Sequence, residues 1–192
     1  MIKIVTSLDF ETWLRKLRDE RARARILRLS LGNAGDVKPV GSGISEMRID
    51  YGPGYRVYFL KRGGALIILL CGGDKSTQSA DIEEAKSIAI QWKERTMKSQ
   101  FKTYDVVDYL KSEEDMALYL EACFEEAGDD ASLIAAALGD IARAKGMSDI
   151  AAATGLTREG LYRTLSNDGN PSFSAILKVM KALGMKLRPE AA

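Results

Sequence analysis

The first half of the chain changes its hydrophobic period several times, and each change predicts a new element. Residues 2–6, "IKIVT", are apolar and β-branched, which favours a strand. From Asp9 onward, apolar residues recur at positions 10, 13, 14 and 17, which predicts an amphipathic helix with Asp9 as its N-cap. The helical pattern continues through "RARARILRLSLG" to a stop at Gly32 and Asn33.

Three later segments predict a small sheet and its closing helix. Residues 44–51 and 55–60 alternate between polar and apolar side chains around "GPG", which predicts a hairpin. Residues 65–71, "ALIILLC", have no polar side, as expected for a strand buried on both faces, and "GGDKSTQS" predicts a polar loop after it. A helix is predicted over residues 79–95. The order β-α-α-β-β-β-α predicts an α+β domain with helices packed on a largely antiparallel sheet.

The polar positions of the hairpin are the first candidates for chemistry. If the hairpin pairs symmetrically about Pro53, Asp50 faces Arg56 and Arg48 faces Tyr58. This pairing gathers two arginines, a tyrosine and two carboxylates on one sheet face. Guanidinium groups match phosphate oxygens, and cleavage of RNA through its own 2′-hydroxyl needs such charge beside an acid and a base. The pattern also fits the solvent-exposed side of an ordinary antiparallel sheet, and both interpretations stay open.

The second half of the chain has helical periodicity throughout, which predicts an all-α domain. Two segments meet near Ser112, a helix follows Asp130 and ends at Gly146, and residues 147–166 predict a helix-turn-helix with its turn at Gly155 and a cap at Thr157. The second helix of this pair exposes side chains suited to contact bases or phosphates: Thr157, Arg158, Glu159, Tyr162 and Arg163. The last helix carries an apolar stripe that predicts core or dimer interface: Phe173, Ile176, Leu177, Met180 and Leu183.

Charge divides the chain where the pattern does. Residues 1–96 hold 17 Lys/Arg and 12 Asp/Glu, a net of +5, whereas residues 97–192 hold 11 and 15, a net of −4, and the two sum to the total of +1. The sign changes at "ERTMKS", where Met97 follows the closing helix like a second start. We therefore predict two domains, 1–96 and 97–192, of which the basic one suits a nucleic acid.

Composition excludes several kinds of site. The chain has no histidine, which excludes serine–histidine and cysteine–histidine catalysis and histidine-based zinc sites. Cys71 and Cys123 lie far apart in sequence and are predicted to be reduced, buried thiols. We expect no cofactor and no metal. The N-terminus has no leader pattern and the longest apolar run is residues 65–71, so we expect a soluble cytoplasmic protein with no membrane partner.

Several uncommon strings in the first half resemble the toxins of bacterial addiction modules, in the phage-derived branch of the RelE/HigB superfamily. They are "GDVKPVG", "SEMRIDYGPGYRVYF" and "LLCGGDK", and the resemblance extends from Ile2 to about Trp92. It implies the compact RelE-like fold and endonucleolytic cleavage of mRNA on the ribosome. Carried over by position, it implies that Arg56 stabilises the phosphate and that Lys75, Arg48 and Lys38, the last of these in a loop, add positive charge. The alternation of the second hairpin strand predicts that Tyr58 points outward beside Arg56, which makes it a further acid–base candidate on the same face.

The second half resembles HigA-like antidotes of the Xre/Cro type. The strings are "DVVDYLKSEEDMALYLEACFEEAGDDASLIAAALGDIARAKGMSDIAAATGL", "REGLYRTLS", "GNPSF" and "KVMKALGMKL". The resemblance implies a homodimeric repressor that binds operator DNA and neutralises the toxin through another surface. The order toxin then antidote matches the order of genes in such modules.

Together these features predict a self-neutralised fusion of a toxin and its antidote. The first domain would be an endoribonuclease whose activity the second domain inhibits, and which meets ribosome and mRNA only after release. Two alternatives stay open. The chain could be a transcriptional repressor whose toxin-like domain is catalytically inactive, or the first domain could poison gyrase instead of cutting mRNA.

Overall fold

The computed structural model describes residues 3–32, 34–63, 66–93, 101–128, 130–166 and 169–188. The chain forms two compact units, Met1–Asp105 and Val106–Ala192. The boundary therefore lies after Asp105, later than the predicted boundary at 96/97. The predicted junction itself, at residues 94–100, lies outside the described residues.

Among the described residues of the first unit, six strands form one mixed sheet in the order β2-β3-β4-β5-β1-β6. Strands β1 and β5 run parallel, and the other neighbouring strands are antiparallel. The strands are β1 (Lys3–Ser7), β2 (Val37–Gly41), β3 (Ile44–Ile49), β4 (Tyr55–Arg62), β5 (Leu66–Asp74) and β6 (Phe101–Thr103). The edge strands β2 and β6 are the two that the hydrophobic pattern does not predict, because each is short and largely solvent-exposed.

The helices of the first unit are α1 (Leu8–Lys16), α2 (Glu20–Leu27), which continues as a 3-10 turn (Arg28–Leu31), and α3 (Gln78–Lys93). The predicted N-cap Asp9 is wrong, since Ser7 caps α1 by accepting a hydrogen bond from the backbone N–H of Phe10 at 3.0 Å. The Ser7 hydroxyl also donates to the carbonyl of Leu70. One side chain thus ties the end of β1 to β5 and to the start of α1.

Two adjacent glycines in β5 explain how helices reach both faces of the sheet. A Cβ at Gly72 would lie 2.4 Å from the ring of Trp13 in α1, and a Cβ at Gly73 would lie 2.0 Å from a carboxylate oxygen of Asp81 in α3. Neighbouring residues of a strand point to opposite faces, so α1 and α3 cover opposite faces. The strand therefore runs through "GGD" to Asp74, where the sequence predicted a loop.

The second unit is all-α in its described residues, with a 3-10 turn (Val106–Asp108) before its first helix. The helices are α4 (Glu113–Ala127), α5 (Ala131–Lys145), α6 (Met147–Thr154), α7 (Arg158–Thr164) and α8 (Phe173–Ala182). The predicted break near Ser112 is confirmed, and Ser112 and Asp115 form a reciprocal capping box. Tyr119 and Leu138 are fully buried between α4 and α5.

Candidate functional site

A buried carboxylate lies at the centre of the polar cluster in the first unit. Glu46 on β3 is only 1% exposed, and its Oε1 lies 3.6 Å from Arg56 Nε and 3.9 Å from Arg48 Nε. Its Oε2 accepts a hydrogen bond of 2.7 Å from the side-chain amide of Gln78, the first residue of α3. We name these four residues the arginine cluster. Such a carboxylate fixes the positions of both guanidinium groups, because an unpaired buried charge is costly.

Strand register brings the arginine cluster together. In the β3–β4 hairpin Arg48 pairs with Arg56 and Glu46 pairs with Tyr58. The predicted pairing of Asp50 with Arg56 and of Arg48 with Tyr58 is wrong by two residues. The connection spans residues 50–54 and is centred on Gly52, with φ of 57° at Gly52 and 78° at Gly54. The carboxylate that meets the arginines is therefore Glu46, and Asp50 lies in the connection.

Arg56 is the less exposed of the two arginines, with 12% of its side chain accessible against 38% for Arg48. Arg56 also donates from Nη1 to the carbonyl of Gly54 at 3.4 Å. Arg48 is held from outside by Asp36, whose Oδ2 lies 3.1 Å from Arg48 Nε. The buried Glu46 and the backbone carbonyl of Gly54 thus orient Arg56. Arg48 lies between the buried Glu46 and the exposed Asp36.

Lys75 lies beside Arg56 at the end of β5. A Cβ at Gly54 would lie 3.7 Å from Lys75 Cβ and 4.0 Å from Arg56 Nη1, so Gly54 leaves room for both side chains. The turn that carries Lys75 is ordered by Asp74, whose Oδ1 accepts a 2.7 Å hydrogen bond from the backbone N–H of Ser76. Hydrogen bonds from the Ser76 hydroxyl and backbone lower the pKa of Asp74. Lys75 is exposed and available to a ligand.

The structure separates two predicted site residues from this group. Tyr58 was predicted to point outward, but it is fully buried in the core beneath α3, with Leu60, Leu70 and Ala85. Burial raises the pKa of Tyr58, and the nearby carboxylates of Glu46 and Asp81 raise it further. Its hydroxyl has no hydrogen-bond partner within the described part of the chain. A tyrosine in this position cannot contact an RNA substrate, so its predicted acid–base role is wrong.

Lys38 lies on strand β2, not in a loop as predicted. It pairs with Glu46 across β2 and β3 and its side chain is exposed at the sheet edge. Its position adds positive charge to the rim of the same sheet face, since directly paired residues of an antiparallel ladder share a face.

Gln78 and Glu46 are the site residues that sequence reasoning missed. The alternation of β3 does place Glu46 on the polar face, but no local pattern shows that a helix 32 residues later covers it. A signal was available in Gly73, because a glycine in the middle of a strand often marks a close approach by another element. Here that element is the start of α3, where Thr77 Oγ1 donates to Asp81 Oδ2 at 2.6 Å.

Helices α6 and α7 cover the segment that the sequence predicts to be a helix-turn-helix, and the turn and the cap lie at the predicted residues. Helix α6 ends at Gly155, which has a left-handed φ of 72°, and Thr157 caps α7 by accepting from the N–H of Gly160 at 3.0 Å. Leu161 and Leu165 are buried, as predicted. The five candidate nucleic-acid contacts are all exposed: Thr157, Arg158, Glu159, Tyr162 and Arg163. The guanidinium of Arg158 lies over the Tyr162 ring, 5.7 Å from its centroid.

The apolar stripe of α8 divides into a buried and an exposed part. Met180 and Leu183 are buried, whereas Phe173 is 65% and Leu177 is 44% exposed. Of the two predicted roles, core or dimer interface, Phe173 and Leu177 therefore do not have the first, because α8 packs on α5 and α6 with Val179 and Met180 buried. Their role in a dimer interface stays a prediction.

Two further findings concern the described residues as a whole. They contain no group of three or more Cys, Asp or Glu side chains placed to hold a metal ion. No helix in the described ranges is long and apolar enough to cross a membrane.

Each match between this chain and known proteins covers about half of the chain. A family model described as "Probable addiction module antidote protein" matches residues 100–191. Two proteins of Haemophilus influenzae (strain ATCC 51907 / DSM 11121 / KW20 / Rd), each described as "Uncharacterized protein", are 56% and 50% identical over 92 residues. These matches span 46% and 48% of this chain and 93% of each relative. No solved structure matches the chain.

Proposed function

Because the chain belongs, through residues 100–191, to the family of probable addiction-module antidote proteins, we propose that it carries a toxin and its antidote in one polypeptide. The antidote role rests on the family. The toxin role of the first unit rests on its resemblance to RelE/HigB toxins and on the arginine cluster, which is the observation that carries the proposal. An antidote is useful only beside a toxin, and the first unit is a separate compact body before it.

The proposed reaction is cleavage of mRNA through its own 2′-hydroxyl. The pentavalent phosphate that forms carries more negative charge than the bound substrate, so fixed cations accelerate the reaction. Arg56 is the proposed phosphate ligand, because Glu46 and the Gly54 carbonyl fix its orientation before substrate arrives. Preorganised charge needs no rearrangement during the reaction, which is why a partly buried arginine suits the role.

Lys75 is the proposed proton-transfer group. It is exposed, and Gly54 leaves room for its side chain beside Arg56. Arg48 and Lys38 would hold the flanking phosphates at the rim of the sheet. In this assignment Glu46 does not contact the RNA, because it is buried beneath the two arginines.

The second unit is proposed to bind operator DNA as well as the toxin. The support is local: a capped helix after a glycine turn presents five exposed side chains that can contact a nucleic acid. Repressors of this shape act on two half-sites, which calls for a homodimer. The exposed apolar residues of α8, Phe173 and Leu177, are the proposed dimer contact.

One observation favours the rival proposal of a repressor with an inactive toxin-like domain. Both arginines of the cluster are already paired with carboxylates, Arg56 with Glu46 and Arg48 with Glu46 and Asp36, and the buried Tyr58 cannot replace the missing histidine. Cleavage of mRNA then depends on whether Arg56 can still bind the phosphate and whether Lys75 alone can transfer the protons.

The deciding experiment induces residues 1–96 alone and the full chain in bacteria, then measures growth and mRNA integrity. We expect the fragment to stop growth and cut translated mRNA, and the full chain to do neither. Arg56→Ala should abolish cutting, whereas Arg62→Ala, at the exposed far end of the same strand, should not. Tryptophan fluorescence checks that each fragment is folded.

Each other result has a definite meaning. A folded, harmless fragment would establish the repressor alternative. Intact mRNA with DNA damage would indicate a gyrase poison. Cutting that survives Arg56→Ala would show that the arginine cluster is not the active site.

A further inference from the structure

The antidote family match and the boundary between the units do not coincide. The match begins at residue 100, whereas the first unit extends to Asp105. Residues 101–103, which belong to the matched antidote segment, form strand β6 of the first unit's sheet. The opening residues of the antidote are therefore built into the fold of the other unit.

Strand β6 pairs with β1 through a regular antiparallel ladder. Val5 pairs with Thr103, Thr6 with Lys102 and Ser7 with Phe101, and the N–H of Tyr104 donates to the carbonyl of Ile4 at 3.0 Å. This ladder occupies the side of β1 that does not face β5. A strand edge left open at this position would expose a row of unpaired backbone groups, which is a template for another strand.

Side chains add anchors at the start of β6. The ring of Phe101 meets the ring of Trp92 from α3 edge to face, with centroids 4.9 Å apart. Both rings pack against the apolar core under α3. Lys102 Nζ lies 3.5 Å from Glu11 Oε2 of α1. The strand is thus held by backbone, aromatic and ionic contacts to three different elements of the first unit.

We propose that this segment, residues 101–104, is the docking strand of the antidote, and that its binding partner is the free edge of β1 in the toxin sheet. The proposal rests on the toxin–antidote function above and adds the mode of attachment. An added strand gains main-chain hydrogen bonds, and one or two side-chain anchors supply specificity. If the toxin and the antidote were two separate chains, this segment of the antidote would bind the sheet of the toxin chain. In this protein the two are covalently connected, so the high effective concentration of the segment keeps it bound.

The test uses the full chain with a protease site inserted between residues 96 and 97, cleaved after folding. We expect the two fragments to stay together on size-exclusion chromatography. Because hydrogen bonding alternates along an antiparallel ladder, the Tyr104 bond implies that the N–H of Lys102 also points at β1 and that of Thr103 points away. Proline lacks the N–H, so positions 102 and 104 are intolerant of proline, whereas position 103 is not.

The matched variants separate ladder bonding from side-chain effects. Lys102→Pro is expected to weaken the association of the cleaved fragments at least tenfold, and Phe101→Ala similarly through the aromatic anchor. Thr103→Pro and Lys102→Ala should stay within about threefold of the parent, since edge strands tolerate an outward proline and exposed ion pairs contribute little. Affinity is measured by dilution of the cleaved complex with fluorescence detection.

Two results would overturn the docking strand: fragments of the parent that separate after cleavage, or Lys102→Pro and Phe101→Ala fragments that bind as tightly as the parent. The readout contains no RNA, so it is independent of catalysis. Fragments that separate while the first unit still cuts mRNA would leave the toxin proposal standing. Fragments that hold together while the first unit is harmless would leave the docking strand standing.

Discussion

Replacing Glu46 by glutamine tests the central feature of the first unit. The change keeps the size of the side chain and an oxygen that can accept from Gln78, but it removes the charge that faces Arg48 and Arg56. Glu46 is 1% exposed, so water cannot replace the lost charge as it would at the surface. The prediction is a loss of stability confined to the first unit.

The structure gives the size of the effect. Two unit charges about 4 Å apart attract by about 4 kcal/mol at an effective dielectric constant of about 20, before desolvation is counted. Removing one partner of a buried pair costs about 3–5 kcal/mol, and an exposed pair is worth at most about 1 kcal/mol. The pair of Glu46 with Arg56 resembles a buried pair, because the Arg56 side chain is only 12% exposed, whereas the pair with Arg48 is closer to an exposed one. We therefore expect Glu46→Gln to lower the free energy of unfolding by about 3 kcal/mol, mostly through Arg56.

Both tryptophans, Trp13 and Trp92, lie in the first unit, so urea unfolding followed by tryptophan fluorescence reports this unit alone. Glu83→Gln is the matched control, because Glu83 is 72% exposed and pairs with Lys86 on the same helix. It should change stability by less than about 0.5 kcal/mol. Combining Glu46→Gln with Arg56→Met should recover part of the loss. A Glu46→Gln chain as stable as the control would refute the charge pairing.

Three other predictions concern packing, hydrogen bonding and pH. Gly73→Ala should destabilise the first unit by about 1–3 kcal/mol, because its Cβ would overlap the carboxylate of Asp81; an unchanged fluorescence transition would contradict this. Tyr119→Phe removes a 2.9 Å hydrogen bond to Asp140 and should cost the second unit about 1.5–3 kcal/mol, measured by circular dichroism; a smaller loss would mean that this bond is replaced by water. Ser132 and the helix N–H groups lower the folded pKa of Asp130 below 3.8, so its stabilisation of α5 is present above that pH and lost as the pH falls through the folded pKa. Asp130→Asn should make urea midpoints of the second unit less sensitive to acid, and equal sensitivity would exclude the effect.

The local hydrophobic period was sufficient to predict those helices and strands that bury one clear face. The hairpin strands, the apolar strand β5 and the caps at Ser112 and Thr157 all follow from residues close in sequence. Turn geometry was less secure, because Gly52 and Gly54 allow a five-residue connection that shifts the register by two. That shift replaced Asp50 by Glu46 in the candidate site.

Tyr58 shows why the polar face of a strand cannot be read as solvent-exposed. Alternation places Tyr58 on the same face as Arg56, and this is correct. Whether that face meets water depends on α3, which begins 20 residues later and covers one part of it. Residues 101–103 also show no hydrophobic period that would predict a strand. They form β6 only because the edge of β1 pairs with them.

The amino-acid sequence by itself determined the helices and strands with strong period, the basic and acidic halves, and the absence of histidine chemistry. Each depends on residue type or on neighbours within a few positions, which is information that a linear pattern contains. The tertiary structure decided the burial of Glu46 and Tyr58, the packing of α1 and α3 against opposite faces of β5 at Gly72 and Gly73, and the inclusion of residues 101–103 in the sheet of the first unit. These depend on contacts between segments distant in the chain, whose geometry is fixed only when the whole sheet has formed.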